Sequence, residues 1–328
     1  MKKISNYFLT TSVILFGVGL IAFSSSNINT VNNSLDLFLN AVFPSLFPFL
    51  IVSELISHTF VISLISSKFE KIMPAVFNVS AIGAYPFVMG LISGYPVGAK
   101  IVANLRAENK ITRSDGDKLL IFTNNAGPLF IVGSIGTSIY LNSSIGFLLY
   151  IVHFISCIVT GIAFGHLYKL NYRDYAPTSS KELEFSTLGE IVGDTIKKAF
   201  HTLSIVCGFV ILFSLIISML QVSGILSFIG NTWTEYVIFG ILEITSGIKL
   251  ISTISDTVLP LQIIVTSFLL GFGGFSVLLQ VWSVISKTDL SIKPYILGKI
   301  FNGIISAMIM TVVVNMLWDN NENSNLKN

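Results

Sequence analysis

Glu243 is a lone carboxylate inside the apolar segment "GILEITSGIKL". An acid at that depth is a candidate for binding a coupling Na⁺ or H⁺, or for hydrogen-bonding a solute; the competing reading is an interfacial carboxylate beside Glu235. Lys249 closes the same segment, and Lys100 closes a similar one, "SGYPVGAK". Each lysine follows a helix-breaking stretch. Two compact cations on opposite arms suit a small dianion, although either is also placed to snorkel to a membrane interface. Four breaks interrupt the apolar runs: Ser93-Gly94-Tyr95-Pro96, Asn124-Asn125-Ala126-Gly127-Pro128, Glu243 to Gly247, and Gly271-Phe272-Gly273-Gly274. Irregular backbone at membrane depth is tolerated where it is buried in protein or lines a wet cavity. Each break frees a half-helix terminus, with N-terminal ends attracting anions and C-terminal ends cations. The candidate solute-binding residues are therefore Ser93, Gly94, Tyr95, Pro96, Lys100, Asn124, Asn125, Thr245, Ser246 and Lys249. The alternative is that glycine and proline serve as kinks and close-packing positions, and the two asparagines as interhelical hydrogen-bonders.

Other chemistries find little support. No HExxH, GxSxG, Walker or GxGxxG pattern stands in a suitable context. Cys157 and Cys207 lie in apolar runs and read as small buried residues rather than a disulfide or metal set. Glu54, His58, His153, His166 and His201 read as packed or interfacial. The net charge of +2 comes without a basic patch, so nucleic acid is set aside as a partner. No enzyme, cofactor or metal is expected.

What must position these residues is a set of membrane helices. Of 328 residues, 52% are hydrophobic and 11% charged, against roughly 25% charged in a soluble domain; the mean hydropathy is +0.80. A helix needs about 20 apolar residues to cross a bilayer. Segments of that kind are Ile4–Phe23, Leu35–Ser57, Leu119–Tyr140, Ile145–Tyr168, Ala199–Leu220, Leu259–Ser286 and Pro294–Trp318. Ile4–Phe23 reads as a retained span rather than a signal peptide, since no small-residue cleavage site follows. Ser24–Ser34 reads as a loop, and Thr59–Lys71 as an amphipathic surface helix. Lys2 and Lys3 put the N-terminus in the cytoplasm by the positive-inside rule. If Met73–Leu105 crossed once, Arg106, Lys110, Arg113 and Lys118 would lie outside; if it folds back as a hairpin, all four lie inside.

The same order recurs in each half: span, hairpin with a Gly-x-Lys triplet, broken span, span. Gly98-Ala99-Lys100 lies over Gly247-Ile248-Lys249, and Gly127-Pro128 over Gly273-Gly274. The charge bias gives the copies opposite orientations, a pattern of secondary transporters. The expected fold is an all-α polytopic membrane protein with two inverted repeats, re-entrant helical hairpins and broken transmembrane helices. Its parts are an N-terminal transmembrane helix (1–34), a first repeat (35–170, hairpin about 73–105), a cytoplasmic loop (171–198), a second repeat (199–318, hairpin about 236–258) and a polar tail (319–328).

The stretches "GLISGYPVGAKIVANL", "LLIFTNNAGPLFIVGSIG" and "GILEITSGIKL" resemble the sporulation integral membrane protein YlbJ family. That family belongs to the gate or nucleoside-recognition membrane proteins, which are similar to concentrative nucleoside transporters. The resemblance runs from about Ala41 to Met316 and is most specific at Ser93–Lys100 and Asn124–Phe130. Gly127 departs from the usual Ser or Ala ahead of the proline. The resemblance implies a multi-pass protein of the cell membrane or forespore membrane that moves a small anionic solute, with dipicolinate the expected cargo and nucleosides the cargo the gate label alone suggests. Its partners would be that solute and the lipid bilayer, and a sporulation membrane partner or a homo-oligomer is compatible with it. A different class also fits: a membrane assembly factor without cargo, docking a partner on the loop Lys169–Lys198.

Overall fold

A computed structural model gives the fold, describing residues 2–167, 187–226, 232–254 and 259–325. Among these residues the regular elements are all helical. Five helical stretches are long and apolar enough to cross a membrane: Ser24–Ser57, Ser143–Leu167, Leu188–Ser223, Leu259–Ile285 and Ile292–Leu317. The chain is an all-α, multi-pass membrane protein.

The N-terminal part differs from the sequence expectation. Helix α1 (Lys2–Ala22) does not end in a loop; α2 (Ser24–Leu37) continues it. Phe23 N donates to Gly19 O and Asn27 N to Phe23 O, so helical bonding runs through the junction. The polar residues that suggested a loop find partners instead. The Asn27 amide donates to the carbonyls of Gly19 and Leu20 at 3.1 and 3.2 Å. Thr30 donates to Ser218 at 2.9 Å. A widened turn, Phe38–Val42, leads into α3 (Phe43–Ser57). The short α4 (Val61–Lys68) buries none of its residues, as expected of a surface helix.

Two hairpins and two broken helices follow. Helices α5 (Ala84–Ser93) and α6 (Val97–Ala107) form the first hairpin. Helix α7 (Arg113–Thr123) breaks at Asn124–Pro128 and resumes as the π-helical segment Leu129–Ile139. Helix α8 (Ser143–Leu167) completes the half. The next element, α9 (Leu188–Ser223), begins well before the expected Ala199. "TLGE" is a capping box: Glu190 N donates to the Thr187 hydroxyl at 3.3 Å, and the Glu190 carboxylate accepts from Thr187 N at 2.8 Å. The head of the expected cytoplasmic loop, 171–186, lies outside the described residues, as do 168–170 before it. Helices α10 (Thr232–Leu242) and α11 (Ile244–Ser252) form the second hairpin. Helix α12 (Leu259–Phe272) breaks at Gly273 and resumes as α13 (Gly274–Ile285). Helix α14 (Ile292–Asn325) runs through most of the expected polar tail. The order helix, hairpin, broken helix, long helix thus occurs twice.

Both feet of the first hairpin meet at one end of the molecule. Ser80 N donates to Asp115 at 3.1 Å, and Lys118 Nζ to the Asn78 carbonyl at 3.1 Å. Ser291 N donates to Asp117 at 2.8 Å. Arg106 grips Asp289 with two bonds of 2.8 Å, tying the end of α6 to the link before α14. The Arg106 hydrogen bonds hold the Asp289 carboxyl below its ordinary range. A depressed carboxyl stabilises the fold above its unfolded value, about 3.9, and that stability is lost as pH falls through the lower folded value. Both side chains are partly exposed, so the pair contributes on the order of 0.5 kcal/mol. Asp289→Asn is expected to lower the melting temperature slightly at pH 7, and the difference from the native protein should vanish under strong acid in a thermal-melt series.

The packing centre lies between α8, α12 and α14, with α7 against the last of these. It carries the breaks of both broken helices, which is what brings the site together.

Candidate functional site

The first hairpin turns at a glycine that the geometry requires. Gly94 has φ +88°, a region open to glycine and strained for other residues. The Tyr95–Pro96 peptide is cis. Gly94 packs on the backbone of Gly127, so this tip sits against the first helix break. It also reaches the second: the Tyr95 hydroxyl donates to the Leu270 carbonyl at 2.7 Å. That carbonyl belongs to the last turn of α12, where carbonyls lose their helical partners. Beyond it the chain turns through two left-handed glycines, Gly273 (φ +88°) and Gly274 (φ +78°).

The asparagines of the first break are completely buried. Asn125 donates to the Phe122 carbonyl at 2.7 Å and so closes the end of α7. Asn124 donates to the Tyr295 hydroxyl at 2.8 Å. Asn125 thus bonds back to α7 and Asn124 out to α14, and neither lines the pocket described next.

Glu243 sits at the turn of the second hairpin, and its carboxylate caps α11. It accepts from Thr245 N at 3.1 Å and from Ser246 N at 2.7 Å. The half-helix N-terminus, a ready anion site, is thus filled from within. Glu243→Ala is expected to destabilise the second hairpin by about 1 kcal/mol, as losing a cap usually does, with Glu243→Gln costing less; urea melts of the purified protein check it.

These parts line a small pocket of about 60 Å³. Ser93, Gly94 and Tyr95 line it from the first hairpin, Gly127 from the first break, Glu243 and Thr245 from the second hairpin. Ser276 and Gln280 of α13 add a hydroxyl and an amide, while Val206 and Val210 of α9 close an apolar side. Glu243 is the single charged residue of that lining.

Of the residues singled out in sequence, Ser93, Gly94, Tyr95, Glu243 and Thr245 therefore converge on the pocket, while Pro96 starts α6 and Ser246 contributes its backbone to the cap. The two lysines do not converge. Lys100 Nζ lies 3.2 Å from Glu54 Oε2, and Lys198 Nζ lies 2.6 Å from Glu54 Oε1. Lys249 is exposed in the last turn of α11, where a cation faces the negative end of the helix.

Sequence reasoning missed a fully buried lysine. Lys299 on α14 is fully buried, and Tyr295, Asn302 and Ser306 share its face of the helix, all buried. Lys299 Nζ donates to Asn125 Oδ1 at 3.3 Å and lies 5.8 Å from the Tyr95 ring centre. Cys157 of α8 donates to the same Asn125 oxygen at 2.9 Å. Asn302 donates to the Gly271 carbonyl at 3.1 Å, satisfying another orphan of the second break. The signal was present: a lysine inside the expected span Pro294–Trp318 has the same default claim to function as Glu243. Among the described residues, no His, Cys, Asp and Glu group is arranged to hold a metal ion.

Paired hairpins and broken helices meeting at one pocket define an all-helical membrane protein built around a shared site. No protein-family model matches the chain, and no solved structure does. It is 31% identical to the sporulation integral membrane protein YlbJ of Bacillus subtilis (strain 168), over 97% of this chain and 84% of that protein. The chain belongs to the YlbJ family of sporulation integral membrane proteins.

Proposed function

We propose that the chain is a secondary transporter moving a small anionic solute across a membrane of the developing spore, with dipicolinate as its cargo. The observation that carries this reading is the pocket: both hairpin tips and the first helix break line it, and Tyr95 ties the first tip to the second break. The recurring order of elements supports two repeats, and opposite orientations would let one move against the other to alternate access. The gathering of Arg106 and Lys118 at one end with the feet of the first hairpin supports a re-entrant hairpin with those charges in the cytoplasm. Glu243, the pocket's carboxylate, is the group offered for a coupling Na⁺ or H⁺. Dipicolinate comes from the family resemblance, and apolar walls mixed with hydroxyl and amide groups suit the recognition of a small ring with polar substituents.

The test is uptake into liposomes holding the purified protein, with dipicolinate and uridine compared under imposed Na⁺ and proton gradients. Dipicolinate is expected to enter and uridine not. Val210→Trp, which fills the pocket from its apolar wall, is expected to cut uptake at least tenfold with normal insertion. Failure of the native protein to move either solute overturns the proposal.

A further inference from the structure

The pocket as it stands offers an anion no cation. Its single charge is a carboxylate already holding a helix N-terminus, while Lys100 is bound to Glu54 and Lys249 is exposed. A fully buried cation lies behind the pocket wall instead. Lys299 touches one carbonyl oxygen, that of Asn125, and the faces of Tyr95 and Tyr295 at 5.8 and 5.9 Å. Among the described residues no carboxylate pairs with it. An ammonium sealed from water without a counter-charge is expensive, and such a residue inside a membrane protein is a functional one by default.

Buried groups of the first hairpin tip, the end of α7 and α8 are short of partners in the same way. The Ser93 and Thr123 hydroxyls, Asn124 Oδ1 and His153 Nδ1 are buried and unpartnered. His153 Nε2 accepts from Ala126 N at 3.3 Å, so the ring's proton sits on Nδ1, a donor with nothing to donate to. Of these the two hydroxyls and the Nδ1–H, with Lys299, are donors of the kind a carboxylate lacks when it leaves water, while Asn124 Oδ1 is an acceptor and serves no anion. Tyr95 stands between the two compartments: it lines the pocket, and its ring lies against Lys299. One hydrogen bond, to the Leu270 carbonyl, holds its hydroxyl.

We propose that Lys299 is the cation that receives a carboxylate of the transported solute, with Tyr95 as the partition that seals it from the pocket until the first hairpin tip moves. The ligand class is a small carboxylate anion. The inference rests on the transport reading and names the group that would make that transport selective for anions.

Lys299→Met in the full-length protein tests it, because methionine keeps the length of the stem and removes the charge. Three quantities are measured beside the native protein: melting temperature in detergent, the rise in that temperature on adding dipicolinate, and dipicolinate uptake into liposomes. The variant is expected to melt at or above the native temperature, since an unpaired buried charge is gone. It should also lose the dipicolinate-dependent rise and at least tenfold of uptake. Native-like uptake by Lys299→Met overturns the inference and leaves the transport reading standing. A variant that melts well below the native protein assigns the lysine to packing and also overturns it. A native protein that neither binds nor moves dipicolinate overturns both.

Discussion

Gly98→Leu is expected to leave almost no folded protein in the membrane, and Gly98→Ala to destabilise by about 3 kcal/mol or more, at the upper end of overpacking effects. A Cβ at Gly98 would overlap the Thr123 carbonyl oxygen, and one at Gly90 would overlap the same atom. One glycine comes from each arm of the first hairpin, so the two arms clamp the last turn of α7 just before its break. The obstruction is backbone, which cannot rotate aside as a side chain does. Relief requires the hairpin to lift off α7, which parts the tip from Gly127 and weakens the Tyr95 bond to Leu270. Gly133 has nothing within 4 Å of its Cβ position, so Gly133→Ala should be close to neutral. Fluorescence-detected size exclusion and thermal melts of the three variants separate these outcomes. A Gly98→Ala protein that melts with the native one would break the link between hairpin and helix end.

The second large effect is at Glu54, whose carboxylate joins α3 to α6 through Lys100 and to α9 through Lys198. Glu54 is 6% exposed, so its charge is held by its partners rather than by water. Glu54→Ala leaves two ammonium groups facing each other without an anion. Breaking a buried pair from one side costs about 3–5 kcal/mol; because the Lys198 side chain is 50% exposed, about 3 kcal/mol is expected. Lys198→Ala should cost under about 1 kcal/mol, as for exposed pairs. Glu54→Leu with Lys100→Leu should recover most of the loss, since apolar replacement of both partners removes the desolvation penalty along with the attraction. Thermal or urea melts of the single and double variants give the coupling directly. Additive losses would mean that Glu54 and Lys100 do not act as a pair.

Those two features show how far the primary structure reaches. The glycines of "GLISGYPVGAK" marked a helix break, and the break is there, because helix breaking depends on a residue and its immediate neighbours. Which atom the glycines press against is not local: Thr123 lies on another helix. The same division appears at Lys100. Its position beside a break is visible in the sequence, while its partner Glu54 reads there only as packed or interfacial, since nothing in a sequence brings α3 against α6. At the N-terminus a polar run, Ser24–Ser34, suggested a loop. It became helix because Ser218, far along the chain, offered Ser26 and Thr30 a partner. Local propensity lost there to tertiary hydrogen bonding.

Hydropathy and the helix-breaking stretches determined by themselves that this is a multi-pass helical membrane protein whose helices are interrupted near those stretches. These are properties of short windows, set by the cost of moving backbone and charge into lipid. Only the tertiary structure decided which broken ends share a pocket, that Glu243 caps its own helix, and that the buried cation is Lys299 rather than Lys100 or Lys249. Those outcomes depend on contacts between residues far apart in the chain. Tyr95 and Leu270, in opposite halves, become neighbours only when the two hairpins and the two broken helices pack around one centre.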